Sequence, residues 1–366
     1  MQKIYKKYMR KCINLAKLSL GKVAPNPLVG AVVLDKNGNF AGCGRHEKYG
    51  HAHAEVNAIK NAKENGFDIK GGTIIVNLEP CSHFGKTPPC ADLIIKEGLR
   101  TVVVGCKDPN PKVAGRGIKK LEDAKIKVVV GVLEDECKKL NEVFIKNHTK
   151  NAPFVVLKTA TTLDGKIATK TGSSKWITAE KSRNYVQKLR NEYDAILTGS
   201  GTVIVDNPSL TCRLKNGKNP IRIVIDSQLK TDPKSKVYNG DGTKIFVAVA
   251  ENTDIKGFGT NTVEFIKCSV SKTTGKIDLS ELLIKLYEKG INSIMVEAGG
   301  ELNQAFIQAN LADKLYQFVA PKILGDSEAK SFVSGCDIKD INDSHKLLIS
   351  STKKLGQDIV IECYFG

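Results

Sequence analysis

The sequence predicts an α/β fold in two successive domains, and three observations carry that prediction. The chain has 366 residues, which suits two ordinary domains of roughly 100–200 residues each. Short β-branched runs alternate with amphipathic helical stretches in both halves, the pattern of sheets covered by helices. A polar stretch, KNHTKNAP at 146–153, interrupts that alternation and ends in Pro153, which sets the domains at 1–148 and 149–366.

The first element is an N-terminal helix, with Tyr5, Tyr8, Met9, Cys12, Ala16 and Ser19 at helical spacing. The turn-rich VAPNPLVG leads into a strand, LVGAVVLD, and DKNGNF reads as a hairpin turn. Helix AEVNAIKNAKEN, strand GTIIVNLEP, the Pro-rich PCSHFGKTPPC and helix ADLIIKEG follow. Strand TVVVGC, helix GIKKLEDA and strand KVVVGV complete a three-layer α/β pattern.

The second domain opens with PFVVLKTATTLDGKIA and continues through helix TAEKSRNYVQKLRNEY. Strands are expected in DAILTGSGTVIV, NPIRIVID and KIFVAVA, and a helix in LSELLIKLYEK. Strand SIMVEAGG, a helix through ELNQAFIQA, strand KLYQFVAPKIL and a final strand DIVIECYF close the chain.

Composition narrows the function. Hydrophobic residues make up 41% and charged residues 26%, near the globular norm. The longest apolar runs, such as VVV at 102–104 and 128–130, are too short to cross a bilayer. The basic N-terminus has Lys17 inside its apolar part and no small-residue cleavage site after it, so a cytoplasmic protein is expected. Its ten cysteines are then thiols; eight of them read as packing, and only Cys81 and Cys90 lie in a segment of chemical character. The net charge of +17 is concentrated in residues 1–150, where 27 Lys and Arg face 15 Asp and Glu. A phosphorylated small molecule or nucleic acid fits that excess, but aromatics are 6% and no base-stacking platform is visible.

His53-Ala54-Glu55 opens a helix, Pro80-Cys81 follows a strand, and Cys90 begins the next helix. One imidazole and two thiolates supply the three ligands of a catalytic Zn²⁺ that keeps a fourth position for water. Such a metal brings the pKa of its water towards ~7. Glu55, two residues past the ligand, stands beside the open position and can carry the water's proton to a leaving amine. This is the zinc-deaminase signature H-x-E…P-C-x-x-C, except that eight residues separate the cysteines here. The helix start favours the thiolate of Cys90. His51 and His83 are rival ligands: one lacks a carboxylate two residues on, the other lies inside the inter-cysteine loop. No G-x-G-x-x-G follows a first strand, so a Rossmann domain is not expected.

The strings APNPLVGAVV, NLEPCSHFGKTPPCADLI and KDPNPKVAGRGI, then LKTATTLDGKIA, SKWIT, ILTGSGTVIVDNPSLTCR, PIRIVIDS and VEAGGELNQAF, closely resemble the bifunctional riboflavin-biosynthesis deaminase/reductases along essentially the whole chain. The resemblance implies a cytidine-deaminase-like three-layer α/β/α domain followed by a dihydrofolate-reductase-like α/β domain. It implies deamination of 2,5-diamino-6-ribosylamino-4(3H)-pyrimidinone 5′-phosphate at C2, then reduction of the ribosyl group to ribityl by NADPH. Position by position it implies zinc on His53, Cys81 and Cys90, proton transfer by Glu55, and the pyrimidine phosphate near Asn26, His46 and Lys86. It places NADPH against Ala160, Trp176, Thr202, Asp206, Ser227, Gly299 and Gly300. The glycine turn follows a strand and opens a helix, so its amides can receive a phosphate. Substrate contacts fall on Lys158, Ser174, Arg190, Leu210, Arg213 and Glu297, with the two arginines suited to phosphate. Lys158, Asp206 and Glu297 all remain open as the group that assists protonation of the reduced nitrogen. The resemblance also implies a homo-oligomer, dimer or tetramer, with a small-molecule substrate and neither nucleic acid nor membrane as partner.

Two other readings compete. A nucleotide or tRNA deaminase with a C-terminal accessory domain suits the basic first half, but not the Pro-rich inter-cysteine loop. A structural zinc module needs a fourth protein ligand, for which His83 is the candidate.

Overall fold

The N-terminal segment forms helix α1, Gln2–Lys17, which buries Met9, Cys12, Ile13 and Ala16 and leaves Lys3, Lys6, Lys7 and Lys17 exposed. The computed structural model containing it describes residues 2–84, 88–110, 114–258, 262–271, 275–335 and 338–366. Strands β1 (Gly30–Leu34) and β2 (Phe40–Arg45) are joined by a turn in which Asp35 accepts from the Asn37 and Asn39 amides at 2.9 and 2.8 Å. Then come α2 (Ala54–Glu64), β3 (Thr73–Leu78), α3 (Cys90–Lys96), β4 (Thr101–Cys106), α4 (Arg116–Asp123) and β5 (Lys127–Val130). The sheet order is β2-β1-β3-β4-β5, with β3, β4 and β5 parallel and β1 antiparallel to both neighbours.

Strand alternation gives this sheet two apolar faces. Val33, Ile74 and Val102 pack with Ala58, Ile94 and Leu121 from α2, α3 and α4. Val32, Ile75 and Val103 pack on the other side with Met9, Cys12 and Cys137, the last from α5 (Glu134–Leu140). The result is the three-layer arrangement expected, with near-continuous apolar strands because both faces are covered.

The polar stretch expected as a linker is instead helical. Helix α6 spans Glu142–Lys150, and the chain divides into Met1–Asn151 and Ala152–Gly366, later than position 148. His148 stabilises the segment by bonding the Phe144 carbonyl at 3.0 Å and packing on its ring, and Asn151 ends the helix in the left-handed conformation.

The second unit contains β6 (Phe154–Thr162), β7 (Lys166–Ala168), α7 (Glu180–Glu192), β8 (Ala195–Gly199), α8 (Ser200–Asp206), β9 (Ile221–Ile225), β10 (Ile245–Ala250) and β11 (Val263–Cys268). It continues with α9 (Leu279–Glu288), β12 (Ser293–Val296), α10 (Gly300–Gln308), β13 (Lys314–Ala320), β14 (Lys330–Ser331), β15 (Leu347–Leu355) and β16 (Asp358–Phe365). Nine strands form one sheet, β11-β10-β9-β8-β12-β6-β13-β16-β15, parallel except for β16, which is antiparallel to both β13 and β15; β7 and β14 pair separately. Leu157, Leu197, Ile223 and Val296 pack under Leu282, Leu286 and Phe306 of α9 and α10.

The strand expected through DAILTGSGTVIV ends at Gly199, and Ser200–Asp206 is helical. Strand β8 has already matched the length of β9, whose pairing ends at Gly199 with Ile225. Beyond that register the β-branched residues have no ladder to join; Val203 is buried, while Ile204 and Val205 face solvent.

Candidate active sites

In the first unit, α2, the end of β3 and the start of α3 bring three donors together. His53 precedes α2, Cys81 follows β3 and Cys90 begins α3. The His53 Nδ1 lies 3.6 Å from Cys81 Sγ and 3.3 Å from Cys90 Sγ. A tetrahedral Zn²⁺ with bonds of about 2.1 Å to nitrogen and 2.3 Å to sulfur spaces N and S by about 3.6 Å, so this set fits the ion as it stands. The three donor atoms lie within 4.8 Å of one another, and no fourth residue joins them among those described. His51 and His83 both lie exposed outside the cluster.

Glu55 is 3% exposed and belongs to no donor set. Burial, with the Cys81 charge adding to it, pushes its carboxyl up to about 7. Between the thiols, a hydrogen bond from Cys90 draws Cys81 down to about 4, helped by His53, whereas Cys90, partner in that bond and buried beside Glu55, is pushed up. A divalent cation stabilises both thiolates.

The substrate side of this unit is held by main-chain clamps. Asn77 accepts from the Gly30 amide at 2.7 Å and donates to the Leu28 carbonyl at 2.9 Å, while Asn141 accepts from the Leu28 amide at 2.7 Å. They fix the turn carrying Asn26, whose amide reaches His46 Nε2 at 3.1 Å. His46 Nδ1 donates to the Ala52 carbonyl at 3.0 Å, and its ring packs edge-on against His53. Both ring nitrogens of His46 are thus occupied within the protein, so it meets a substrate only by exchanging the Asn26 bond. Lys86 lies outside the described residues.

The second unit holds a cleft of about 1230 Å³. Glu297, just past β12, lies at its floor. It accepts from Lys158 Nζ at 3.2 Å and takes both Arg190 Nε and Nη2, at 2.8 and 3.1 Å. Burial alone raises the Glu297 carboxyl, but Arg190 and then Lys158 outweigh it and hold it at about 2. Arg190 Nη1 also donates to the Thr211 carbonyl at 2.9 Å. Arg190 thus shares the one carboxylate with Lys158, which leaves the triad with a net positive charge. The Arg213 amide donates to Gln187 Oε1 at 2.9 Å, while its exposed side chain lines the cleft with no hydrogen bond or ion pair among the described residues.

At the start of α10, Gly299 has open space where a Cβ would stand. At Gly300 a Cβ would lie 2.4 Å from the Ser331 carbonyl oxygen, so only glycine lets the helix approach that strand. Trp176 and Ser227 also line the cleft. Trp176 is 61% exposed, which rules out a core role; Arg183 stacks over its ring at 4.6 Å. Asp206 accepts from Ser174 Oγ at 3.4 Å.

Comparison with known proteins decides the family. Residues 153–361 match the RibD C-terminal domain, and residues 2–106 match the zinc-binding region of cytidine and deoxycytidylate deaminases. A riboflavin biosynthesis protein RibD from Actinobacillus pleuropneumoniae is 42% identical over 97% of this chain and 94% of its own length. Another, from Bacillus amyloliquefaciens, is 41% identical over 96% and 94%. The chain belongs to the RibD family. Among solved structures, a diaminohydroxyphosphoribosylaminopyrimidine deaminase/5-amino-6-(5-phosphoribosylamino)uracil reductase from Thermotoga maritima superimposes with a TM-score of 0.87 at 40% identity, covering 100% of this chain and 99% of that one. As a RibD, the chain is a bifunctional riboflavin-biosynthesis enzyme, a zinc deaminase followed by an NADPH reductase. The accessory-domain reading of the second half falls with that match.

The RibD residues expected from sequence gather at two places. His53, Glu55, Cys81 and Cys90 are in one cluster region, with Asn26 and His46 linked to it. Lys158, Ala160, Ser174, Trp176, Arg190, Thr202, Asp206, Leu210, Arg213, Ser227, Glu297, Gly299 and Gly300 all line the cleft of the second unit. Sequence reasoning missed Asn77, Asn141 and Glu79, each a buried polar side chain bonded to a distant main chain. A polar residue at the end of an apolar strand, as in IIVNLEP, was the available signal.

Proposed function

We propose that the first unit deaminates 2,5-diamino-6-ribosylamino-4(3H)-pyrimidinone 5′-phosphate and that the second reduces the product's ribosyl group to ribityl. The observation that carries the first half is Glu55, buried beside the His53, Cys81 and Cys90 cluster without belonging to it. Zinc held by those three residues activates water at neutral pH. Glu55 takes the water's proton and delivers it to the departing nitrogen, a role suited to a carboxyl raised to about 7. Asn26 orients the ring from the turn that Asn77 and Asn141 hold.

In the second unit, NADPH supplies the hydride to the ring-opened imine of the sugar. Ala160, Trp176, Thr202, Asp206, Ser227 and the Gly299–Gly300 turn hold the cofactor, and the space at Gly299 supports close approach of a phosphate to main-chain amides. Arg213 binds the substrate phosphate, with Ser174 and Leu210 beside it in the cleft. Glu297, held at about 2, stays ionised at neutral pH and cannot donate a proton. Its part is to fix Lys158, whose ammonium carries the proton to nitrogen.

We place the enzyme in the cytoplasm; the nine described cysteines are all free, and among the described residues no helix is long and apolar enough to cross a membrane. A homodimer through the β15 edge is supported by Leu347, Leu348 and Ile349, exposed in a row on an outer strand. Light scattering tests it: Ile349→Lys gives monomers, and an unchanged mass removes that edge from the interface.

The function is tested by NADPH oxidation with zinc-loaded protein and the diaminopyrimidine substrate, beside Glu55→Gln. The wild type oxidises NADPH, and the variant does so only when handed the deaminated intermediate. Ammonia release without NADPH oxidation refutes the reductase half, and neither activity refutes the substrate.

A further inference from the structure

Glu79 follows β3 and precedes Pro80 and Cys81, yet it touches neither donor cluster nor cleft in the readings above. It is 3% exposed. Its carboxylate accepts four main-chain N–H groups from a segment some 30 to 40 residues further on. Oε2 takes Asp108 and Gly115 at 3.2 and 3.0 Å; Oε1 takes Gly117 and Ile118 at 3.0 and 3.2 Å. Three of these amides belong to the N-terminal end of α4, where helices leave donors without partners. Gly115, which precedes α4, has no side chain to cap it, so the cap comes from across the sheet end.

The contact is close as well as polar. A Cβ on Gly117 would stand 2.0 Å from the Pro80 carbonyl oxygen and 3.2 Å from Glu79 Oε1. The Glu79 amide bonds the Cys106 carbonyl at 3.0 Å, at the end of β4. On the far side, the Cys81 carbonyl accepts from Ala91 N at 3.1 Å, and Cys81 Sγ accepts from Cys90 N at 3.3 Å. The two residues that lead into Cys81 are therefore locked from one side by β4 and α4, and Cys81 itself is locked from the other by α3.

We propose that Glu79 is a positioning residue for deamination: by binding the amides of Asp108, Gly115, Gly117 and Ile118 it fixes the Glu79–Pro80–Cys81 turn, and so the place of the Cys81 sulfur in the metal-binding set. The proposal rests on the reading of Cys81 as a ligand. A carboxylate is required because glutamine has one acceptor oxygen and would turn its N–H₂ towards two amide donors.

The test uses the full chain loaded with Co²⁺ in place of Zn²⁺, with reduction of the deaminated intermediate as an internal control. In Glu79→Gln, the cobalt d–d bands shift, chelator competition shows metal affinity down about tenfold to hundredfold, and deamination kcat falls while its KM is unchanged. Reduction by the second unit keeps its wild-type rate. Should Glu79→Gln hold no metal at all, Glu79→Asp carries the test, since it keeps the charge and shortens the reach; a shifted cobalt spectrum with lowered kcat supports the proposal. A wild-type spectrum, affinity and kcat in the variant that folds overturns it. Absence of thiolate-to-cobalt absorption in the wild type, or its full retention in Cys81→Ser, refutes the ligand reading beneath it instead.

Discussion

The deaminase cluster and the reductase cleft solve the same problem, holding a polar centre ready for chemistry, by different means. Around His53, Cys81 and Cys90 the fixing groups are main-chain bonds: Asn77, Asn141 and Glu79 each grip peptide groups of another segment. At the floor of the cleft the fixing groups are charged side chains, with Glu297 between Lys158 and Arg190. Two of these clamps are neutral amides, and the charge of the third, Glu79, is spent on four main-chain N–H groups. An ion triad sets both position and field, and it makes the site sensitive to the loss of any one charge.

The largest effect should fall on the deaminase side. Glu55→Gln keeps the shape of the side chain and removes its base, so ammonia release drops about 10²–10⁴-fold. NADPH oxidation with the deaminated intermediate should not change. A chelator that strips the metal should divide the two activities in the same way. Parallel loss of both in either experiment would mean that the two sites are not independent.

On the cleft side, Glu297→Gln leaves the Lys158 and Arg190 charges without their counter-charge in a nearly closed site. Breaking a buried ion pair from one side typically costs about 3–5 kcal/mol. Reduction should be lost, and the second unit should melt well below the first in calorimetry, with deamination intact at room temperature. If the variant melts like the wild type, the triad does not govern the stability of that unit.

The same triad predicts an acid limit. A carboxyl held at about 2 in the fold, against an ordinary value near 4.3, contributes stability that is complete above the higher value. That contribution, on the order of 3 kcal/mol, disappears as pH falls from about 4.5 towards 2. Unfolding of the second unit followed by denaturant at stepped pH should show the decline, and Glu297→Gln should flatten it. A decline that persists in the variant assigns it to other carboxyls.

What the sequence disclosed follows the same division. His53 and Glu55 share one helical turn, and Cys81 and Cys90 flank one loop, so a known local signature could point to the metal site and its base although the cysteine spacing alone is weak. Arg190 and Glu297 are 107 positions apart, and nothing local says that they neutralise each other. The expectation that both Arg190 and Arg213 suit phosphate therefore carried no sign that one of them shares a buried carboxylate. Glu79 stayed hidden for the same reason, since its partners lie at 108–118. Most strands were legible because apolar runs alternate with helices. The misses are where tertiary context overrides local preference: GTVIV is helical past the end of its sheet register, and β15 shows eight exposed residues in a row, with no alternation to detect.

The smallest predicted effect tests how rigid the cofactor end of the cleft is. Gly300 has helical backbone geometry, so alanine there is not resisted by conformation; the obstacle is the Ser331 carbonyl oxygen at 2.4 Å and Ser334 Oγ at 2.8 Å from a new Cβ. Serine side chains can turn away, whereas a strand carbonyl cannot, so α10 itself must shift by several tenths of an ångström. Overpacking of this kind costs about 1–3 kcal/mol, and if all of it fell on cofactor binding the KM for NADPH would rise about fivefold to 150-fold. The expected result for Gly300→Ala lies at the lower end, because part of the strain is absorbed by β14, a two-residue strand at the periphery. Deamination serves as the control and should not respond. A raised KM with unchanged kcat would show that the helix start binds the cofactor equally in ground and transition states; a fall in kcat alone would mean that its position sets the hydride geometry.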